Sequence, residues 1–321
     1  MTFQLTTQQT IYQPGAWGQS HASTLARLPD GSVVVAWFAG SRESDPDVAI
    51  YGSSYVQGQW RPPAPWSKVN DLAHWNPVLF QPPGGPLTLF FKVGADCAEW
   101  QTYVCHSVDG GTSWGEAYEL VPGDVGGRGP TKNKPIVLAN GSILAPASLE
   151  RGGRWRAFID RSIDGGTTWV ASPEIPADKA EVPGRGEIQP TLWESAPGYV
   201  HLLARSSSSF ICRSDSSDGG RQWSAFRKTA LPNNNSGIDL ARQADGRLML
   251  AYNPVAGDWG ARTPLSLATS TDNGLNWHHL LDLETGPGEY SYPAVIATPA
   301  GFAGTYTWKR ESIVFWEGRF G

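Results

Sequence analysis

The sequence predicts an all-β protein that forms one six-bladed β-propeller domain across residues 1–321. Three observations lead to this fold class: evenly spaced tryptophans, an eight-residue motif that ends at four of them, and six copies of a two-strand unit. The tryptophans that recur at intervals of 54, 55, 54 and 54 residues are Trp60, Trp114, Trp169, Trp223 and Trp277. Because 321 divided by 54 is close to six, each repeat corresponds to one blade of a closed ring.

The motif before these tryptophans reads Ser-x-Asp-x-Gly-x-x-Trp. It occupies residues 107–114, 162–169, 216–223 and 270–277, while residues 53–60 keep only its first and last positions. Its Asp can accept backbone N–H bonds across a tight turn, its Gly permits positive φ, and its Trp covers the hairpin. Since the motif lacks the further oxygen side chains and the distal Glu that Ca²⁺ requires, we expect a structural turn and no metal site.

The two-strand unit consists of an apolar strand, a Gly turn and a second apolar strand. Its copies are residues 21–37, 76–92, 134–148, 189–205, 236–253 and 292–309. Their short β-branched or aromatic runs, bounded by Gly, Pro or Asp, are typical of strands. Because no motif follows the last copy, residues 2–11 are expected to supply a strand that closes the ring.

Composition and charge narrow the classes of partner. A net charge of -5 and a pI near 5.7 predict no nucleic-acid surface, and no apolar run is long enough to predict a membrane span. Three cysteines, Cys97, Cys105 and Cys212, are too few for a disulfide framework and are expected in the core. The first twenty residues lack a basic start and an apolar stretch, so a cytoplasmic location is expected, or a secreted one if a leader was trimmed. Glycine-rich residues 123–132 lack the Gly-Lys-Ser/Thr of a phosphate loop, and no cofactor is predicted.

Polar residues at the strand ends predict a central site. In a propeller the innermost strands all start at one end of the axis, so the residues at their starts can meet in one cavity. The polar residues at these starts and at the ends of the returning strands are His21, Arg42, Asp47, Asn76, Lys92, Asn133, Lys134, Glu150, Glu187, Arg205, Asn235, Arg262, Tyr290 and Lys309. We expect about half of them only to pair with one another.

The order of these residues resembles the sialidase (neuraminidase) superfamily, whose propellers carry the same Asp motif, over essentially the whole chain. Arg42 and Asp47 follow the second strand of the first unit and are five residues apart, as are that family's sugar-contacting arginine and acid/base aspartate. Glu187 begins a strand, and Arg205 ends the next one in an Ala-Arg-Ser context, as in the family.

Two further elements extend the resemblance toward the last repeat. Arg262 precedes the last motif, and Tyr290 with Ser291 matches the closing Tyr-Ser dipeptide, with Tyr292 as its rival. The resemblance and the strand-end positions together predict catalytic roles for Tyr290, Glu187, Asp47 and His21, and substrate contacts from Arg42, Arg205, Arg262, Asn76, Lys134 and Tyr292.

The resemblance implies a retaining exo-glycosidase that acts on an acidic oligosaccharide or glycoconjugate. Guanidinium groups would hold the sugar carboxylate in a bidentate manner and orient the ring. A carboxylate nucleophile would be repelled there, so a tyrosine activated by Glu187 would attack instead. Asp47 would protonate the leaving oxygen and later activate water.

One position departs from the family. Its first clamp arginine is His21 in this chain, which leaves Arg205 and Arg262 to hold a carboxylate. A histidine beside arginines also fits a uronate-directed lyase, in which His21 or Tyr290 would remove the proton next to the carboxylate. His21 could instead bridge blades 1 and 6 as a neutral imidazole. A non-catalytic glycan-binding propeller is the third hypothesis.

Overall fold

The computed structural model of the chain describes residues 2–321, in which the regular secondary structure consists of strands alone. The strand nearest the amino terminus is β1 (Phe3–Thr10). Blade 1 contains β2 (Gln19–Arg27), β3 (Val33–Gly40), β4 (Ala49–Val56), β5 (Gln59–Trp60) and β6 (Ala64–Ser67). Blade 2 contains β7 (His74–Phe80), β8 (Leu87–Val93), β9 (Gln101–Ser107) and β10 (Tyr118–Glu119). Blade 3 contains β11 (Ile136–Val137), β12 (Ile143–Arg151), β13 (Arg154–Ser162) and β14 (Val170–Ala171).

The remaining three blades repeat the same antiparallel order. Blade 4 contains β15 (Glu187–Ala196), β16 (Tyr199–Ser206), β17 (Phe210–Ser216) and β18 (Arg227–Pro232). Blade 5 contains β19 (Asp239–Arg242), β20 (Leu248–Tyr252), β21 (Leu265–Ser270) and β22 (His278–Glu284). Blade 6 contains β23 (Tyr290–Ala297), β24 (Gly301–Trp308), β25 (Ser312–Phe320) and, as its outer strand, β1. The six sheets form a ring, which confirms the six-bladed propeller.

The ring closes between strands from opposite ends of the chain. Strand β1 pairs antiparallel with β25, so that Phe3 lies opposite Phe320 and Thr10 lies opposite Val314. The prediction that residues 2–11 supply a closing strand is therefore confirmed. Closure in this way leaves blade 6 with four strands, although only three of them are consecutive in the sequence.

Buried apolar side chains form six clusters, one at each junction between neighbouring blades. Trp193 of blade 4 packs with Leu240 of blade 5, and Trp37 of blade 1 packs with Phe315 of blade 6. Each sheet therefore buries its faces against its neighbours, and burial of apolar surface stabilises the ring as a whole. Cys105 and Cys212 are buried thiols, as predicted, whereas Cys97 is only half-buried.

The four complete copies of the motif, here called Asp boxes, form identical turns between the third and fourth strands of blades 2 to 5. In the first, the Ser107 hydroxyl accepts the Gly111 N–H at 2.8 Å and donates to Asp109 Oδ1 at 2.8 Å. Asp109 Oδ1 also accepts the Ser113 N–H at 2.9 Å. These donors favour the ionised carboxylate and lower the pKa of Asp109 to about 2.

Four inner strands, β2, β7, β15 and β23, carry a register shift near their amino-terminal ends. At each shift one residue adopts a positive φ: 54° at Ala22, 40° at Asn76, 53° at Gln189 and 51° at Tyr292. An extra residue in one strand redirects its side chain, so each of these bulges changes which residue points toward the axis.

Candidate functional site

A cleft of about 310 Å³ opens on the axis and is lined by residues from all six blades. We call it the cup, and its lining residues are Glu43, Ser44, Trp75, Asn76, Asp96, Cys97, Trp100, Glu150, Gln189, Arg205, Trp259, Arg262, Tyr292 and Arg310. A larger groove of about 620 Å³ lies at the outer rim beside an Asp box, but its box carboxylate, Asp272, is already engaged within its own turn. The convergence of ionisable groups from separate blades marks the cup as the candidate site.

Arg205 is a buried guanidinium at the end of β16, with 3% of its surface exposed. Its Nε donates to Asn235 Oδ1 at 2.8 Å, and its Nη1 donates to Gln189 Oε1 at 3.1 Å and to the Tyr292 hydroxyl at 2.9 Å. Among residues 2–321 no carboxylate forms an ion pair with it, and its Nη2 makes no hydrogen bond. Because an unpaired buried charge is costly, this arrangement favours binding of an anion in the cup.

Two further arginines share one carboxylate. Arg262 Nη1 lies 2.6 Å from Glu289 Oε1, and Arg310 Nε lies 3.1 Å from the same oxygen. Arg310 also forms an ion pair with Glu43. Burial alone would raise the pKa of Glu289, but the charges of Arg262 and Arg310 outweigh it, and the pKa is lowered. The two guanidiniums are therefore held rigidly at the wall of the cup.

Tyr292 lies among these cations. Its ring centroid is 5.7 Å from the Arg262 guanidinium, 5.9 Å from that of Arg205 and 5.8 Å from Lys132 Nζ. Its hydroxyl oxygen accepts hydrogen bonds from Arg205 Nη1 and, at 3.3 Å, from Gln189 Nε2. Two N–H donors directed at one phenol oxygen stabilise negative charge that develops there.

His21 lies behind Tyr292 and not on the surface of the cup. Its ring centroid is 4.2 Å from that of Tyr292, its Nδ1 is 2.9 Å from Thr307 Oγ1, and its Nε2 is 3.5 Å from Arg310 Nη2. Burial, followed by the charges of Arg310 and Arg262, lowers the pKa of His21 well below its usual range. The structure therefore places His21 as a buried, neutral imidazole that supports Tyr292 and does not line the cup, and its catalytic role stays a prediction.

Two predicted catalytic residues lie outside the cup, on the strands that carry the bulges. Tyr290 packs into the cluster between blades 5 and 6, and its hydroxyl contacts the carbonyl of Pro287 at 3.4 Å. Glu187 is buried in blade 4, and burial raises its pKa to about 7. The bulges place Tyr292 and Gln189, each two residues later, in the cup. The structure thus brings Tyr292 and Gln189 to the cup, where the sequence predicts Tyr290 and Glu187.

The predicted loop residues of blade 1 also point elsewhere. Asp47 Oδ2 accepts the N–H of Ser41 at 2.9 Å and its hydroxyl at 2.7 Å, which lowers the pKa of Asp47. The Arg42 side chain is 74% exposed and pairs with Asp45 at 3.3 Å. Neither lines the cup, because the loop turns back on itself, and Glu43 is the acidic residue that it contributes.

The predicted substrate contacts of Asn76 and Lys134 have different outcomes. Asn76 lines the cup, at the bulge of β7. Lys134 Nζ instead binds Asp239 Oδ2 at 2.8 Å and the carbonyl of Leu240 at 2.8 Å. It joins blade 3 to blade 5 and is not among the residues that line the cup, and its predicted substrate contact stays a prediction.

Sequence reasoning missed Arg310 and Gln189, and it gave no role to Glu150. A signal for the bulge residues was present, since Asn76, Gln189 and Tyr292 each precede a proline at the start of an inner strand. Proline restricts the residue before it and cannot donate to the ladder, which is compatible with a bulge. No comparable signal marked Arg310, which lies in a turn between β24 and β25.

The described residues contain no group of three or more His, Cys, Asp or Glu side chains arranged to hold a metal ion. No helix long and apolar enough to cross a membrane is present within residues 2–321.

The ring of six blades, with the arginine-lined cup at its axis, has the propeller fold that is also seen in solved sialidase structures. Sequence comparison agrees with this class. The family described as the BNR repeat-like domain matches residues 31–304, and the chain belongs to that family. A search of curated protein sequences finds no significant match.

Several solved structures are similar to this one. A protein of unknown function from Dyadobacter fermentans is 18% identical, with a TM-score of 0.81 and 99% of each chain covered. The Hadza microbial sialidase Hz136 is 16% identical, with a TM-score of 0.81 over 97% of this chain and 68% of that one. The Trypanosoma rangeli sialidase in complex with sialic acid is 17% identical, with a TM-score of 0.70 over 94% of this chain and 54% of that one. At these identities the likeness establishes the fold.

Proposed function

We propose that this protein is a sialidase-like exo-glycosidase that releases a terminal carboxylate-bearing sugar in the cup, with retention and with Tyr292 as nucleophile. The observation that carries the proposal is the state of Arg205, a buried guanidinium without a carboxylate partner among the described residues, which contacts the Tyr292 hydroxyl. A sugar carboxylate would supply the missing negative charge and would place the anomeric carbon near the phenol.

The chemistry follows from charge. Arg205, with Arg262 and Arg310 beside it, would bind the carboxylate and stabilise the transition state as the glycosidic bond breaks. A neutral phenol approaches an anionic sugar without the repulsion that a carboxylate nucleophile would meet. As it attacks, Tyr292 would release its proton to solvent, and the N–H donors of Arg205 and Gln189 would stabilise the charge on the phenol oxygen.

One observation favours a second candidate, a uronate-directed lyase. The side chain beside Tyr292 is Gln189, an amide that cannot accept a proton as a glutamate would. In an elimination Tyr292, as the phenolate, would take the proton next to the uronate carboxylate. The C–H electron pair would then form the double bond, and the C–O electron pair would leave with the departing oxygen.

Product analysis separates the candidates. The protein is incubated in ¹⁸O-water with methylumbelliferyl sialoside, related nonulosonates and uronate-terminated oligosaccharides. Hydrolysis gives a free sugar that contains solvent oxygen, whereas elimination gives an unsaturated sugar that absorbs in the near ultraviolet. Binding of these sugars without either product would contradict both candidates and leave a glycan-binding propeller.

A variant pair tests the role of Arg205. Arg205→Met removes the guanidinium. We expect kcat/KM to fall on the order of 10³-fold, because the sugar carboxylate loses the charged donor that holds it and stabilises the transition state. Arg42→Met, whose side chain is exposed outside the cup, is the matched control and should keep wild-type turnover. Equal behaviour of the two variants would remove Arg205 from the proposed site.

A further inference from the structure

We infer that Glu150 is the proton donor to the departing oxygen, the group that replaces Asp47 in that role. This inference rests on the proposed function and holds for either candidate reaction, since both need a proton on the leaving oxygen. Glu150 lies near the end of β12, opposite Trp155 on β13, and lines the cup.

Position in the ring gives the first argument. Glu150 belongs to blade 3 and Tyr292 to blade 6, and in a ring of six blades these two are diametrically opposite. Glycosidic cleavage needs its two reacting groups on either side of the scissile bond. A sugar held between them would present its anomeric carbon to Tyr292 and its outgoing oxygen to the wall that carries Glu150.

The other acidic residues of the cup are already engaged. Glu43 is paired with Arg310, and Asp96 Oδ1 accepts the N–H of Ala98 at 2.7 Å to hold its own turn. Asp47 is outside the cup and bound to Ser41. Within residues 2–321 Glu150 has no ion pair and no hydrogen bond, so it is the carboxyl that remains available to a ligand.

The surroundings of Glu150 favour its protonated form. Burial raises the pKa of Glu150, and the nearby charges of Arg205 and Arg185 only partly oppose this. The neighbouring Cys97 is held as a neutral thiol, because burial, followed by the charges of Glu150 and Asp96, raises its pKa to about 11. Glu150 therefore keeps its proton at pH values where an ordinary glutamate has lost it.

Glu150 takes part in the cleavage as a donor of one proton. The proton moves from the Glu150 carboxyl to the glycosidic oxygen while the C–O bond breaks and its electron pair goes to that oxygen. In the hydrolytic reaction the resulting carboxylate then takes a proton from the water that attacks the Tyr292 adduct, so that Glu150 returns to its starting state. The bond from the sugar to Tyr292 breaks, its electron pair goes to the phenol oxygen, and that oxygen regains a proton from solvent. In the elimination the proton is restored from solvent.

Leaving-group dependence tests the assignment. A methylumbelliferyl group leaves readily without a proton, whereas an unactivated sugar needs one. Glu150→Gln should therefore reduce kcat/KM, which reports the cleavage step, on the order of 10²- to 10⁴-fold on the unactivated glycoside and far less on the aryl glycoside. The alkaline limb of the kcat/KM–pH profile on the unactivated glycoside should also be lost. Asp47→Asn is the control and should match wild type on both substrates.

The outcomes are distinguishable. If wild type turns over both substrates and Glu150→Gln loses kcat/KM equally on both, the assignment of Glu150 is overturned while the proposed function stands. If wild type is inert toward every acidic glycoside, both fail. Carboxyl-carbon NMR of the wild-type protein gives a measurement independent of turnover: a Glu150 signal that titrates at or below the ordinary glutamate value would also overturn the assignment.

Discussion

The Asp boxes at the rim and the cup at the axis are built in opposite ways. The hydrogen bonds of a box join residues two to four positions apart, and four boxes use the same ones. The contacts of the cup join residues much farther apart, 87 positions for Arg205 with Tyr292 and 289 for His21 with Arg310. Repeated local contacts shape each blade, whereas contacts made once, across the ring, can create a chemical site.

Tyr292→Phe is the variant expected to separate the two regions most strongly. Removal of the hydroxyl deletes the proposed reacting atom, so kcat should fall on the order of 10³-fold or more while the fold is kept. Tyr290→Phe is the matched control, because that hydroxyl lies outside the cup. A large activity loss in Tyr290→Phe with little in Tyr292→Phe would reverse the assignment and show that the cup is not the site.

Glu187→Gln tests whether a buried acid outside the cup affects stability alone. The pKa of Glu187 is raised from 4.5 to about 7, so between these pH values the folded protein holds a proton that the unfolded chain has released. Wild-type stability should therefore fall as pH rises from about 4.5 to about 7. At pH 8 the variant should be more stable, on the order of 3 kcal/mol, by chemical denaturation.

The same variant also tests its expected neutrality in catalysis. Activity per folded molecule should be unchanged in Glu187→Gln, because Glu187 does not line the cup. Loss of turnover without a change in stability would return Glu187 to the catalytic group.

Ser162→Ala tests the rim. The Ser162 hydroxyl accepts the Gly166 N–H at 2.8 Å and donates to Asp164 at 2.7 Å, and the side chain is buried. Its loss leaves that N–H without a partner, and we expect a destabilisation of about 1–3 kcal/mol. The kcat/KM of the folded protein should not change. A catalytic defect would mean that the boxes do more than shape the blades.

The smallest effect is expected from acid titration of the boxes. Hydrogen bonds lower the pKa of Asp109, Asp164 and Asp272 to about 2, below the unfolded value near 4. Their contribution to stability is present above about pH 4 and is lost as pH falls toward 2. The gap in melting temperature between wild type and Asp164→Asn should therefore narrow over this range, whereas a constant gap would show that ionisation of Asp164 is unimportant.

The sequence predicts the rim much better than the cup for a physical reason. The boxes and strand units repeat, and a local turn depends on the residues within it, so the blades and the closing strand could be predicted. Arg205 and Arg262, which end or precede strands, were also placed near the axis by their order. The bulges were the obstacle, because a shift of register changes which side chain faces the axis.

The errors at the cup have this common origin. Tyr290 and Glu187 each lie two residues before the side chain that the bulge presents, Tyr292 and Gln189. Arg310 was not predicted at all, because a turn residue in blade 6 meets His21 of blade 1 only after the ring has closed.

Closure of the ring through β1 and β25 has a consequence for biosynthesis. Thr6 and Glu317 meet across a separation of 311 positions, so β1 leaves the ribosome long before the strand it pairs with. During that interval its backbone donors and acceptors are an open edge on a nascent chain, vulnerable to pairing with the wrong strand. Polar residues such as Gln4, Gln8 and Gln9 in β1 should keep the unpaired strand hydrated until β25 has been synthesised.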